Sequence, residues 1–240
     1  MGHVLEIASN SVASALAAQR GGADRIELFD NLAEGGTTPS FGSIALARER
    51  LHIPLFVLVR PRPGDFHYDA LERELMLRDI QQCRALGCDG VVIGALDADG
   101  DVDVSLCREL VQAAGPMQVT FHRAFDAARD LSAALEDVIA LGCQRVLSSG
   151  GQVSAEAGAE VLAALVKQAV GRISVMAGAG ITPGNIASVA QTTGCVELHA
   201  SAKGARRSDM RFQNPALLGL SPDWVATDAH EVAALRAALA

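Results

Sequence analysis

The sequence predicts a single α/β domain over residues 1–240, a (β/α)8 barrel of the TIM-barrel type. Eight short runs rich in valine, isoleucine and leucine alternate with alanine-rich stretches of helical spacing. The length of 240 residues agrees with the roughly 250 residues that one such barrel needs. The alternative is an open doubly wound sheet. It is disfavoured because no Gly-x-Gly-x-x-Gly turn follows the first strand, and for the same reason no nucleotide cofactor is predicted.

Each element of the barrel has its own sequence signal. Ser11, after Asn10, and Asp130 offer N-cap oxygens, and Pro183 after Thr182 is predicted at the first position of a helix. A final helical stretch at residues 230–236 would close the ring, so residues 202–240 form a C-terminal extension with a closing helix. The predicted strands begin near Val4, Arg25, Pro54, Gly90, Gln118, Arg145, Ile173 and Cys195.

The predicted helix ends share a motif of glycine, a small residue and the next strand. Glycine supplies the left-handed cap, and Ala23 takes the cysteine position in one copy, so the position requires a small residue rather than a thiol. The remaining two cysteines lie in helical stretches and no Cys-x-x-Cys pair occurs. We therefore predict five reduced, structural thiols and no cysteine metal cage. The motif occurs at Gly22-Ala23, Gly87-Cys88, Gly142-Cys143 and Gly194-Cys195, and the two helical cysteines are Cys83 and Cys107.

Charge and hydropathy exclude several classes of partner. The formal net charge is -8 and the pI about 5.2, which disfavours a nucleic-acid surface. Mean hydropathy is +0.24, and no apolar run approaches the roughly 20 residues of a membrane span. The first six residues lead directly into a strand without the features of a secretory signal. We expect a cytoplasmic protein that binds neither membrane nor nucleic acid.

Polar residues alternate with large aliphatic residues on several predicted strands. Glu6 and Glu27 each lie between aliphatic residues, His199 shares one strand face with Ser201, and Arg60 ends a long apolar run. Because alternate residues of a strand face the same side, we expect these side chains to enter the barrel interior near the carboxyl ends of the strands. Buried carboxylates must pair or bind a ligand or metal. A structural ion-pair layer is the alternative for Glu6 and Glu27.

The segment Thr120-Phe121-His122-Arg123-Ala124-Phe125-Asp126 delivers a histidine, an arginine and an aspartate at one strand end. His122 shares the face of Thr120 and is therefore predicted inside the barrel. The alternative is a structural histidine satisfied by a neighbouring carboxylate.

Two glycine-rich turns predict an anion site. Gly178 and Gly180 follow the seventh strand and Gly150 and Gly151 the sixth, where backbone N–H groups can bind phosphate. The predicted charged partner is Arg123 or Arg62.

The sequence resembles the copper homeostasis protein CutC family over nearly the whole chain, from Glu6 to Ser201. The resemblance implies a TIM barrel, a cytoplasmic location, a homodimer, and copper tolerance with copper binding. It supplies no settled reaction. The motifs that carry it are Gly21-Gly22-Ala23-Asp24-Arg25-Ile26-Glu27-Leu28, Glu34-Gly35-Gly36-Thr37-Thr38-Pro39-Ser40, Arg60-Pro61-Arg62-Pro63-Gly64-Asp65-Phe66, Gly94-Ala95-Leu96-Asp97, Thr120 to Asp126 and Ser148-Ser149-Gly150-Gly151.

The sequence departs from the family pattern at two positions that bear on copper. Family members commonly carry cysteine after Glu-Leu on the second strand and near the end of the first, and this chain has Phe29 and Ala8 there. Thiolates are the natural ligands of Cu(I). A site for copper or another divalent metal would instead use harder ligands, namely Glu6, Glu27, His122 and His199.

Two hypotheses from different classes follow. The first is a protein that handles or binds copper without catalysis. The second is a barrel enzyme for a small phosphorylated or carboxylated metabolite, with Glu27 as base and His122 as acid or electrophile. The predicted catalytic residues are Glu27, His122, Glu6 and Arg60, and the predicted ligand-binding residues are Arg62, Asp65, Arg123, Asp126, Gly150, Gly151, Gly178, Gly180 and Ser201.

Overall fold

The computed structural model describes residues 2–214, 216 and 221–240, and its central feature is a closed barrel of eight parallel strands. Neighbouring strands pair in chain order, and the ring closes where the first strand pairs with the eighth. All eight strands begin within two residues of their predicted positions, so the predicted fold is confirmed. The barrel strands are β1 (Val4–Ser9), β2 (Arg25–Leu28), β3 (Leu55–Leu58), β4 (Gly90–Ile93), β5 (Gln118–Phe121), β6 (Arg145–Ser148), β7 (Ser174–Gly178) and β8 (Glu197–Ala200).

A helix follows each strand and covers the outside of the barrel. Short 3-10 helices at Leu32–Glu34 and Phe125–Ala127 add to the loops after β2 and β5. In the described part of the chain, none of the helices is long and apolar enough to cross a membrane. The helices are α1 (Val12–Arg20), α2 (Phe41–Arg50), α3 (Ala70–Ala85), α4 (Val104–Ala114), α5 (Leu131–Ala140), α6 (Ala159–Ala169), α7 (Ile186–Thr193) and α8 (Ala229–Ala238).

Two of the three predicted helix starts are confirmed. The Ser11 side chain accepts a hydrogen bond from an amide of α1, and Asp130 accepts from two amides of α5. The prediction for Pro183 is wrong, because α7 begins only at Ile186. The Asn185 side chain accepts a hydrogen bond from the Thr182 N–H at 2.8 Å. That bond stabilises a separate turn before the helix.

The helix ends have the predicted motif of a glycine followed by a small residue and the next strand. Gly87 and Gly142 both have positive φ, 74° and 83°, a conformation that costs glycine no steric energy. The cysteines that follow them lie at the amino ends of the strands, and all five cysteines are buried and unpaired.

A hairpin separates the last strand of the barrel from the last helix. It consists of antiparallel strands β9 (Lys203–Arg206) and β10 (Trp224–Thr227). The Thr227 N–H donates to the Ser14 hydroxyl at 3.1 Å, and the Asn10 amide donates to the Val225 carbonyl at 2.9 Å. The hairpin is thereby fixed to the start of α1.

Strand alternation divides the side chains into an outer and an inner set. On β2, Ile26 and Leu28 are fully buried beneath the helices, whereas Arg25 and Glu27 enter the barrel. The inner set therefore carries the charged groups.

Candidate active site

A cavity of about 510 Å³ opens at the carboxyl end of the barrel, the end at which TIM-barrel enzymes keep their active sites. Most of its wall is apolar. The predicted polar side chains that line it come from the ends of four strands, β2, β3, β5 and β8. The predicted residues that line the cavity are Glu27, Arg60, His122, Arg123, Gly180, His199 and Ser201.

Glu6 does not line the cavity but lies beneath it, 1% exposed. Its neighbours in strand register are Arg25 on β2 and His199 on β8. It forms an ion pair with Arg25 and contacts Nδ1 of His199 at 2.7 Å. Burial alone would raise the pKa of Glu6, but Arg25 and His199 lower it to about 2. Glu6 is therefore a paired anion, as the ion-pair alternative predicts for it, and is poorly suited to act as a base.

A buried layer of ion pairs forms the floor below Glu6. Glu197 pairs with Arg25 and accepts from Nε of Arg145 at 3.1 Å. The two guanidinium groups contact the Phe56 ring, with their Cζ atoms 5.1 and 4.9 Å from its centroid. These contacts hold the base of the cavity rigidly.

Glu27 is the carboxylate that faces the cavity. It is 6% exposed, no described residue donates a close hydrogen bond to it, and Nε2 of His199 lies 3.5 Å away. Burial raises the pKa of Glu27 to about 7, the charge of Glu6 adds to the rise, and His199 opposes it. A carboxyl group with this pKa can both accept and release a proton near neutral pH.

His199 is held as the counter-charge to the two glutamates. Burial disfavours its charged form, but the bond to Glu6 and the charge of Glu27 raise the pKa of His199 above its ordinary value. Its ring therefore favours the imidazolium form between Glu6 and Glu27.

His122 directly follows β5, across the barrel from β1, and is a neutral donor. Its Nδ1 accepts a hydrogen bond from the Ala124 N–H at 3.0 Å, so the ring proton must be on Nε2. Nε2 is buried and has no partner in the described structure. Burial lowers the pKa of His122 to about 3, and the charge of Arg60 contributes. A metal bound at Nε2 would require the opposite tautomer, and His122 is absent from the cluster of donor atoms formed by Glu6, Glu27 and His199, so this geometry does not support the predicted metal role of His122.

Arg60 brings a positive charge without a carboxylate partner among the described residues. Its Nη1 donates to the carbonyls of Glu34 and Gly36 at 3.0 and 2.8 Å, and its Nη2 donates to that of Gly64 at 2.7 Å. Its Nε is buried and unpartnered. A fixed, uncompensated cation at the wall of a cavity is a binding element for an anion.

Arg62 and Asp65, both predicted to bind the ligand, lie outside the cavity. Arg62 pairs with Glu72 and with Asp65, which is the more exposed partner, and its guanidinium covers the Tyr68 ring. These contacts turn the Arg62 side chain away from the barrel axis, so the prediction for both residues is wrong.

The predicted anion turn after β6 already holds an anion of the chain itself. The Asp126 carboxylate accepts from the amides of Ser149 and Gly151, each at 3.0 Å, and from the Ser148 hydroxyl at 2.6 Å. The Gly150 amide donates to the Ser148 hydroxyl at 2.8 Å. The predicted role of Gly150, Gly151 and Asp126 in binding an external ligand is therefore wrong, because Asp126 takes the place of the ligand.

The turn after β7 keeps its predicted position at the cavity wall. Ala179 and Gly180 both have positive φ and line the cavity. Gly178 lies behind them, where an added Cβ would come within 2.5 Å of Leu147, so it serves packing. Arg123 lines the cavity but is paired with Asp126 at 2.7 Å.

Phe66 and Gly94 shape the cavity although neither is among the predicted site residues. The Phe66 ring contacts both the guanidinium of Arg60 and the ring of His122, with centroid distances of 5.0 and 5.2 Å. At Gly94 an added Cβ would lie 2.6 Å from the His122 ring, so only glycine leaves room for that histidine. Phe66 lies in a loop and gives no periodic signal, whereas Gly94 follows a strand directly.

Three of the four predicted metal ligands come together. Donor atoms of Glu6, Glu27 and His199 lie within 4.8 Å of one another. Two carboxylates and an imidazole suit a divalent cation rather than Cu(I), and Ala8 and Phe29 present apolar surface to the cavity where the family pattern has cysteines. Cu(I) therefore does not fit this donor set.

A closed (β/α)8 barrel with acidic, imidazole and guanidinium groups at the carboxyl ends of its strands defines a TIM-barrel protein with an enzyme-like cavity. The CutC family model matches residues 3–204, so the chain belongs to the CutC family of copper homeostasis proteins. A CutC family protein of Chromobacterium violaceum is 56% identical, with 100% of this chain and 99% of the relative covered. One of Xanthomonas axonopodis pv. citri is 55% identical, with 95% of each chain covered. A structure of the Streptococcus agalactiae copper homeostasis protein CutC superposes with a TM-score of 0.80 at 32% identity, covering 83% of this chain and 98% of that one.

Proposed function

We propose that this member of the CutC family is an enzyme that moves a proton at a carbon atom of a small carboxylated or phosphorylated metabolite. The observation that carries the proposal is the pairing of Glu27, whose pKa is about 7, with neutral His122 across one cavity. A structural ion-pair layer does not need a carboxyl group of raised pKa or an unpartnered imidazole N–H. Abstraction of a proton next to a carbonyl group uses both, the carboxylate as the base and the N–H as the donor to the developing oxyanion.

The roles follow from the geometry. Arg60 binds an anionic group of the substrate, because its charge has no carboxylate partner among the described residues. Glu27 removes a proton from a carbon next to a carbonyl group. His122 donates its Nε2–H to the carbonyl oxygen, on which negative charge develops. His199 balances the charge of Glu27 and is fixed in turn by Glu6.

Apolar surroundings strengthen these interactions. Phe29, Leu58 and Leu147 line the cavity together with Phe66 and Ile181. Because water is partly excluded from such a wall, the charge of Arg60 and the donor of His122 act more strongly on a bound substrate than they would in solution.

The test is enzyme-dependent uptake of deuterium. The purified protein is incubated with a bacterial metabolite extract in D2O, and anionic metabolites are followed by mass spectrometry. We expect one or more of them to gain deuterium with the wild type but not with Glu27→Gln. The control is Glu74→Gln, which removes an exposed carboxylate on α3 and is expected to behave as the wild type. Absence of deuterium uptake with folded wild-type protein would overturn the proposal.

A second candidate function is direct metal handling at the Glu6, Glu27 and His199 cluster, favoured by the spacing of its donor atoms and by the family. Elemental analysis and titration with Cu(I), Cu(II) and Zn(II) test it. This candidate predicts one divalent ion per chain, lost in Glu27→Gln. Metal handling would become the better-supported function if such an ion bound tightly and no metabolite gained deuterium.

We also propose a location and an oligomeric state, both implied by the family resemblance. The protein acts in the cytoplasm and forms a homodimer. Light scattering of the purified protein tests the dimer, and cell fractionation tests the location.

A further inference from the structure

Two residues of the cavity wall carry buried donor atoms that the described structure leaves without partners, Nε of Arg60 and Nε2 of His122. The two residues are 6% and 5% exposed, and both line the cavity. Both contact the Phe66 ring, so the guanidinium and the imidazole lie within about 10 Å of each other. Buried donors without acceptors are costly, so a ligand that brings acceptor atoms to both would gain affinity from them.

The free donors of Arg60 have a defined shape. A guanidinium group has five N–H groups, and three carbonyls take three of them. The N–H of Nε and one N–H of Nη2 remain. Nε and Nη2 lie on the same edge of the guanidinium, and such an edge can donate two parallel hydrogen bonds to the oxygens of a carboxylate. The single charge of buried Arg60 matches a carboxylate monoanion better than a phosphate dianion, and Lys203, the other cation of the lining without an ion pair in the described structure, is exposed.

The free donor of His122 has a different preference. A neutral imidazole N–H suits a carbonyl oxygen, whereas a second carboxylate would require a charged donor. The tautomer is fixed by the Ala124 amide, so Nε2 cannot act as the acceptor for a hydroxyl proton.

We propose that the ligand of this cavity is a 2-oxo carboxylic acid with an apolar body. Its carboxylate binds the free edge of Arg60, and its 2-oxo oxygen accepts from Nε2 of His122. The volume of about 510 Å³ leaves room for a body beyond a three-carbon acid, against a wall that includes Phe29 and Leu147.

The chemistry of this inference rests on the proposed function. Glu27 takes a proton from C3 of the 2-oxo acid, and the electron pair of that C–H bond forms the C2–C3 double bond. The carbonyl π pair moves to the 2-oxo oxygen, which is stabilised by His122. Return of the proton to C3 restores the carbonyl group, so no oxidant or further reactant is needed.

The test separates binding from turnover by using benzoylformate, a 2-oxo acid with no hydrogen next to its carbonyl group. Phenylacetate is the matched probe without the 2-oxo oxygen, and phenyl phosphate replaces the carboxylate. Dissociation constants are measured by calorimetry on the full chain. We expect the wild type to bind benzoylformate about five- to tenfold more tightly than phenylacetate, because one buried hydrogen bond is lost.

Two variants assign the contacts. His122→Phe should abolish the preference for benzoylformate while it leaves the affinity for phenylacetate unchanged. Arg60→Gln should weaken both carboxylates at least about tenfold. The control Arg78→Gln removes an exposed arginine of α3 and should change neither.

The wild-type comparison alone can overturn the inference. Equal affinities for benzoylformate and phenylacetate, or tighter binding of phenyl phosphate than of either carboxylate, would contradict it. If no metabolite gains deuterium but the protein still prefers benzoylformate, the proposed enzymatic function is wrong and the proposed 2-oxo acid ligand stands. If a phosphorylated metabolite gains deuterium and the protein shows no preference for benzoylformate, the enzymatic function stands and the proposed 2-oxo acid ligand is wrong.

Discussion

Replacement of Glu27 by glutamine is predicted to stabilise the fold at neutral pH while it removes the activity. The folded protein holds the Glu27 proton up to a pH of about 7, whereas an ordinary glutamate releases it near 4.5. Between these values the folded state binds more protons than the unfolded state, so the stability of the wild type falls as pH rises. Glutamine resembles the protonated acid and has no such dependence.

The size of the effect follows from the two pKa values. A pKa raised from 4.5 to about 7 corresponds to about 3 kcal/mol between the two protonation states. The gain in the free energy of unfolding of Glu27→Gln over the wild type should be near zero below pH 4.5. It should increase between pH 4.5 and 7 and stay constant at up to about 3 kcal/mol above pH 7.

Urea unfolding followed by circular dichroism at a series of pH values measures this gain. The matched control is Glu197→Gln, another inward-facing carboxylate, which pairs with Arg25 and Arg145 and whose pKa these charges lower. Loss of Glu197 should destabilise the protein at pH 8 because it leaves buried guanidinium groups unpaired. Destabilisation of Glu27→Gln at pH 8 would refute the assignment of Glu27 as a residue kept for function at the expense of stability.

Three further outcomes are expected. Glu6→Gln should lower the free energy of unfolding by about 3–5 kcal/mol at pH 7 and by less at pH 3. The reason is that the ionised, paired form of Glu6 stabilises the fold above pH 4.5, and this contribution falls as the pH approaches 2. Equal losses at both pH values would contradict this. Gly94→Ala should keep the circular dichroism spectrum but weaken benzoylformate binding, because the new Cβ would displace the His122 ring, and unchanged affinity would argue against that ring as a ligand contact. Replacement of all five cysteines by serine should leave any copper stoichiometry of the folded protein unchanged in elemental analysis, since the thiols are absent from the cavity lining; loss of copper would refute it.

Strand alternation was sufficient to predict which side chains enter the barrel. Glu27, Arg60 and His122 line one cavity because the period of two along each strand fixes their direction. The same rule places Arg25 inside, two residues before Glu27, so the partner of Glu6 could have been found from the sequence as well. The role of Glu6 as a paired anion follows from strand register, which places Glu6 beside Arg25 and His199.

Loop contacts were beyond the reach of the sequence pattern. A glycine-rich turn such as Ser148–Gly151 presents amides, but the sequence does not show whether a ligand or the chain itself fills them. Asp126 fills them here through a side chain 23 residues away from Ser149. Arg60 and Arg62 both lie past the end of β3 at Leu58. Arg60 keeps the inward direction that the alternation predicts, whereas Arg62, four residues beyond the strand, turns outward to pair with Glu72.

The measurement that tests the central claim most directly is a 15N nuclear magnetic resonance titration of the histidine side chains. We expect His122 to be neutral from pH 5 to 8, with its proton on Nε2, because burial lowers its pKa to about 3 and the Ala124 amide occupies Nδ1. Assignment by loss of the signals in His122→Phe identifies the ring. A His122 that titrates near its ordinary pKa of 6.5, or that carries its proton on Nδ1, would contradict the claim that this cavity presents a neutral donor opposite Glu27.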